Sequence, residues 1–94
     1  MSKTYAPPAD LVANTHVNAA QYEEMYSASV SDPVSFWKDQ ADRLDWVTKP
    51  TKIKNVSYEF ENVSIKWYED GELNVSANCI DRHLATRGDQ TAII

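Results

Sequence analysis

Hydrophobic and polar positions along this chain change their period once, near Pro50. Before it, apolar residues recur at helical steps of three and four; after it, they alternate. Asn18 followed by Gln21 forms a capping box, and Tyr22, Met25, Tyr26 and Ser29 fall on one helical face, so a first helix is predicted from Asn18 to about Ala28. Asp32-Pro33 is a second start signal, because Asp can cap free N–H groups and Pro at the first helical position loses no needed donor. Val34, Trp37, Ala41 and Leu44 then make an inward seam, Asp39 and Arg43 an i,i+4 pair, and this helix is expected to end near Asp45.

Beyond Pro50, Val56, Tyr58 and Phe60 oppose Ser57 and Glu59, and Val63, Ile65 and Trp67 repeat the alternation. A meander of short strands follows, with Lys52–Asn55 readable as strand or as irregular connection. Asp70-Gly71 calls for a tight hairpin turn in which Gly carries the positive φ. Asn74 stands at an N-cap, a last helix runs from about Val75 to Thr86 with Ile80 and Leu84 inward, and Gly88 marks its end. Thr91–Ile94 begins to read as a buried strand with no partner after it. Residues 1–16, with Pro7-Pro8 and no apolar period, read as an extended arm. The fold class is α+β: a small, incomplete domain of about three helices, a short β-hairpin or meander and an unpaired C-terminal strand.

Composition narrows the partners. A chain of 94 residues buries roughly 60% of its unfolded surface, so its core is thin. Three Trp and five Tyr in so small a chain must fill that core or cover a partner. A net charge of -5 and a pI near 4.8 oppose phosphate-backbone binding, which excludes nucleic acid. No apolar run is long enough for a membrane span, and the start Met1–Pro8 has no signal-peptide core, so the chain reads as cytoplasmic. The lone Cys79 forms no internal disulfide, and the Asn-Val-Ser triplets at Asn55, Asn62 and Asn74 are inert outside a secretory route.

Candidate chemistry crowds into Ile65–Leu84. Cys79 and His83 share a helical face at i,i+4, but structural zinc needs four ligands and His16 lies in the arm, so Cys79 reads as a small buried apolar residue. As a nucleophile, Cys79 would sit inside a helix whose N–H groups are already bonded, leaving no oxyanion hole. The carboxylates at Glu23-Glu24, Glu59/Glu61 and Glu69/Glu72 decorate surface or a turn. With Gly71 and Gly88 the only glycines, there is no Gly-rich phosphate loop. Trp37, Trp46 and Trp67 follow helix and strand periods that favour packing over base or sugar stacking. Catalytic, cofactor and metal residues are therefore none.

Asp32-Pro33 with Phe36-Trp37, Leu44-Asp45-Trp46, Asn62 through Gly71, Asn78-Cys79-Ile80-Asp81-Arg82-His83-Leu84, and Gly88 through Ile94 follow one another in an order that resembles the opening of AMP-forming acetyl-CoA synthetases. The resemblance covers residues 17–94 and lies closer to the acetyl than to the propionyl branch around Lys66–Tyr68 and Asn78–Ile80. It implies a parent ligase of acetate metabolism, in the adenylate-forming superfamily, that joins acetate to CoA using ATP and Mg and releases AMP and pyrophosphate. It also implies that the phosphate loop, acyl pocket, CoA contacts and catalytic Lys lie beyond Ile94. This chain is then expected to be truncated, catalytically silent and without a cofactor of its own. Its partner would be the adenylate-forming remainder of the synthetase. Trp67, Asn78, Asp81, Arg82 and His83 are its structural or interdomain candidates. The exposed edge and the aromatics also allow self-association, and a free-standing interaction module using the Trp/Tyr face is the alternative.

Overall fold

The computed structural model describes residues 3–94, so Met1 and Ser2 of the arm lie outside the described residues. It divides into two compact units, Met1–Pro33 and Val34–Ile94. Elements run α1 (Ala9–Asn14), α2 (Ala19–Ser31), α3 (Pro33–Ala41), β1 (Lys54–Ser57), β2 (Ser64–Trp67), α4 (Val75–Cys79), a 3-10 turn (Asp81–His83) and α5 (Leu84–Arg87). Helices and a two-stranded antiparallel sheet together make this the small α+β class expected.

The first unit is held by local bonds. The arm is not extended throughout: α1 forms in it, with Val12 N–H donating to the Pro8 carbonyl at 3.1 Å and Thr15 Oγ1 closing on the Val12 carbonyl at 2.9 Å. α2 starts on the predicted capping box. Gln21 N–H donates to Asn18 Oδ1 at 3.0 Å and Asn18 N–H to Gln21 Oε1 at 2.8 Å, so two orphan donors are satisfied reciprocally. Tyr22 and Tyr26 stack along the helix, yet no residue of α2 is buried.

In the second unit α3 ends sooner than its apolar seam suggests. Successive i to i−3 bonds, from Asp42 N–H to Asp39, Arg43 N–H to Gln40 and Leu44 N–H to Ala41, tighten the last turn and stop it. The Trp46 indole N–H then donates to the Ala41 carbonyl at 2.8 Å and caps the end. Arg43 reaches Gln40 at 3.3 Å instead of forming the expected pair with Asp39. Of the expected seam only Ala41 is buried, at 3% exposure, while Val34, Trp37 and Leu44 stay exposed.

β1 and β2 pair Lys54 with Trp67, Asn55 with Lys66, Val56 with Ile65 and Ser57 with Ser64. The hairpin connection is therefore residues 58–63, not Asp70-Gly71. At Asp70-Gly71 the chain instead turns back alongside residue 48, where Glu72 and Thr48 exchange backbone bonds at 3.0 and 3.1 Å. Tyr68, not Gly71, adopts the positive φ there, at 50°. Gly71 is required for space: a Cβ on it would stand 2.7 Å from Trp46 Cζ3 and 3.0 Å from Pro50 Cβ.

The last helix is also broken. Ile80 leaves helical geometry (φ -125°, ψ -66°), so α4, a 3-10 turn and α5 replace one continuous helix, and Ile80 and Leu84 face outward at 58% exposure. Thr91–Ile94 forms no strand; no strand among the described residues pairs with it, and a lone extended segment has no ladder to join. The apolar core is thin, as its length requires: among the described residues Ala41, Pro50 and Ile53 are the buried apolar ones and Asn78 the buried polar one.

Candidate functional site

Asn78 is the centre of the best-defined constellation, 7% exposed on α4. Asn74 caps that helix by accepting from Ala77 N–H at 2.9 Å, which sets the turn that aims Asn78 inward. Its amide then acts as a backbone strand would. Oδ1 accepts from Asp45 N–H at 2.8 Å, and Nδ2 donates to the Asp45 carbonyl at 2.9 Å and to the Asn74 carbonyl at 2.9 Å. One side chain thereby satisfies both backbone groups of a residue 33 positions away.

Arg82 adds a second layer. Its Nη1 donates to the Arg43 carbonyl at 3.0 Å and to Asn78 Oδ1 at 3.4 Å, and lies 3.6 Å from Asp45 Oδ1. Asp45 is well exposed, so that ion pair is screened and the two hydrogen bonds matter more. His83 is half-buried beside Arg82 Nε at 3.5 Å, while Asp81 takes no part in the node. Of the five residues singled out in the sequence, the structure gathers Asn78, Arg82 and His83; Trp67 belongs to a second cluster.

In that cluster Trp37 meets Phe36 edge-on at 5.1 Å between ring centroids and Trp67 at 6.1 Å, and Trp67 meets Tyr68 at 6.3 Å. The Tyr68 hydroxyl donates to the Trp37 carbonyl at 2.6 Å, and desolvation of the ring raises its pKa above the usual phenol value. Lys54 Nζ stands 5.8 Å from the Trp67 ring centre. Trp37, Trp67 and Tyr68 line a shallow, mostly apolar cleft of about 280 Å³.

A third set lies where Asp70 clasps residues 51 and 52. Its carboxylate accepts from Thr51 Oγ1, from Thr51 N–H at 3.0 Å and from Lys52 N–H at 2.9 Å. The Thr51 hydroxyl bond first, then the Lys52 N–H, pull its pKa below the ordinary value of 3.8. Reading the sequence missed Asp70, Asp45 and the Trp46 indole as structural groups. The partners of Asp70 and Asp45 lie 19 and 33 positions away, and the Trp46 indole closes on a carbonyl five residues back at a helix end that the apolar seam does not mark.

Cys79 and His83 line one groove of about 330 Å³ with Arg87 and residues 90–92. The helix break at Ile80 removes the regular i,i+4 stack assumed for them, and Cys79 is exposed rather than buried, because the inward position of α4 is taken by Asn78. No three His, Cys, Asp or Glu side chains converge among the described residues, so the donor set here does not fit Mg or zinc. Nor does a Gly-rich turn offer N–H groups to a nucleotide phosphate; neither glycine has a positive φ.

Residues 22–79, more than half of the chain, match the model of the acetyl-coenzyme A synthetase N-terminus family. The chain belongs to that family. Trp67 and Asn78 fall inside the matched span; Asp81, Arg82 and His83 follow it. Relatives agree over nearly the whole chain. It is 59% identical to an acetyl-coenzyme A synthetase of Bradyrhizobium sp. (strain ORS 278) and 58% identical to one of Bradyrhizobium diazoefficiens, over 98% of this chain in both cases. A Xylella fastidiosa acetyl-coenzyme A synthetase is 49% identical over the full 94 residues. Each match takes in only 14% of the relative, so the chain spans about one seventh of the proteins that it is similar to.

Proposed function

We propose that this chain is a structural N-terminal segment of an acetyl-CoA synthetase, catalytically silent by itself, that packs its outward aromatic and aliphatic side chains on the adenylate-forming part of such an enzyme. The observation that carries this reading is the mismatch between core and aromatics. Tyr22, Tyr26, Trp37, Tyr58, Phe60 and Trp67 are all exposed, and the buried apolar positions are small or single. A surface of that kind is stabilised by a partner.

The polar groups support the same division of labour. Asn78, Arg82, Asp70 and Tyr68 spend their hydrogen bonds on this chain's own backbone, so they shape a platform and leave no constellation for acid–base or nucleophilic work. ATP, Mg and CoA would be bound by the partner portion, and acetate activation would occur there. No helix among the described residues is long and apolar enough to cross a membrane, which is compatible with a cytoplasmic setting.

Co-expression provides the test. The Bradyrhizobium sp. relative lacking its matched segment is produced with and without this chain, and acetate-dependent pyrophosphate release is measured. Added chain is expected to raise soluble yield and activity, while the chain alone releases no pyrophosphate. Pyrophosphate release by the chain alone, or no change on adding it, overturns the reading.

A further inference from the structure

Resting on the proposed docking, we propose that the β1–β2 hairpin tip is its aromatic anchor: Phe60 inserts into an apolar pocket of the synthetase remainder whose rim carries Lys or Arg side chains facing Glu59 and Glu61. Phe60 is 91% exposed and Tyr58 76%, at the end of a ribbon whose register is fixed by the Ser57–Ser64 pair. The tip has a defined shape. Asn62 N–H donates to the Glu59 carbonyl at 2.9 Å, and Glu59 N–H donates to Ser57 Oγ at 3.3 Å. Glu61 holds a left-handed φ of 71°, a conformation that a β-carbon disfavours and that keeps the corner tight.

What the tip lacks is any partner of its own. Every other large aromatic cluster here is internally engaged: Trp37, Trp67 and Tyr68 contact one another, and Tyr22 stacks on Tyr26. Among the described residues no ring or cation faces Phe60 or Tyr58, and neither the Glu59 nor the Glu61 carboxylate is ion-paired. An exposed ring on a preformed turn loses little conformational freedom on insertion, which is the physical requirement for an anchor. Two unpaired carboxylates around it set the charge of the surface that receives it. The occupant is a synthetase polypeptide because relatives at 58 and 59% identity carry this segment as 14% of a longer chain.

The test places the chain, in a Cys79→Ser background, in the matched position of the Bradyrhizobium sp. synthetase. Thiol labelling at Phe60→Cys and, separately, at Val30→Cys is followed peptide by peptide in the free chain and in the chimera. Phe60→Cys is expected to label at least about tenfold more slowly in the chimera, and Glu59→Gln with Glu61→Gln to return part of that rate. Radical footprinting of the unsubstituted Phe60 and Tyr58 rings gives the same comparison without a substitution. Equal labelling at position 60 in both settings, with Val30→Cys protected in the chimera, overturns the anchor and leaves the docking reading standing. No protection at either position overturns both. Protection that appears in the free chain and grows with its concentration assigns the tip to a second copy and overturns the proposal.

Discussion

α2 and the node around Asn78 hold their shapes by opposite means. In α2 the bonds are local: a capping box at Asn18 and Gln21, a Tyr22–Tyr26 stack, and no buried residue. Around Asn78 they are long-range, residue 78 to residue 45 and Arg82 to Arg43, and the separate clasp of Asp70 on Thr51 is of the same kind. The difference teaches where specificity resides in a chain with a thin core. Polar side chains that replace missing backbone partners fix the second unit, while the first holds a helix with no buried residue.

Breaking the long-range side should have the largest effect. Asn78→Asp keeps the shape but removes the Nδ2 donor, leaving the part-buried Asp45 carbonyl without a partner, and sets a carboxylate near Asp45; a loss of about 3 kcal/mol is expected. Urea unfolding followed by the Trp46 and Trp67 emission measures it, and unchanged stability would mean that the amide is dispensable. Gly71→Ala tests packing at the same unit. Its Cβ meets Trp46 and Pro50 inside contact distance, which costs about 2 kcal/mol. If that protein is as stable as the parent, Gly71 is there for another reason.

The local side should respond more weakly and separately. Asn18→Ala removes one half of the capping box, an effect of about 1 kcal/mol confined to α2. Amide exchange should speed up over residues 19–31 and not at residues 45 or 78; a matching change at the node would show that the cap's bonds act beyond their own helix. The smallest expected effect is the acid response of Asp70. Its folded pKa lies below the unfolded 3.8, so the unfolded chain binds the proton first. The stability that Asp70 contributes is complete above about 3.8 and declines as pH falls through the lower folded value. Asp70→Asn should flatten that part of the pH–stability curve; an identical curve would remove the clasp from the account.

The same contrast explains what was legible in the residues. Asn18 with Gln21, Asn74 before α4 and Pro33 at the start of α3 are signals that act within one turn, and each stands where it was expected. The strand pair was legible as alternation but its turn was not. Asp70-Gly71 carries a stronger local turn signature than residues 58–63, yet Asp70 is drawn to Thr51 and Gly71 to the space beside Trp46. Periodicity placed Ile80 and Leu84 inside, whereas the inward position on α4 belongs to Asn78, because the Asp45 backbone needs its amide. Apolar periodicity alone also assigned Trp37 and Trp67 to a core that this chain is too small to close.

Hydrogen exchange on the free chain and on the chimera with the Bradyrhizobium sp. synthetase tests the central claim most directly. The account predicts that Asp45 N–H is already slow in the free chain, and that α2 and the β1–β2 hairpin become markedly slower only in the chimera. Exchange that is the same throughout in both proteins would contradict it.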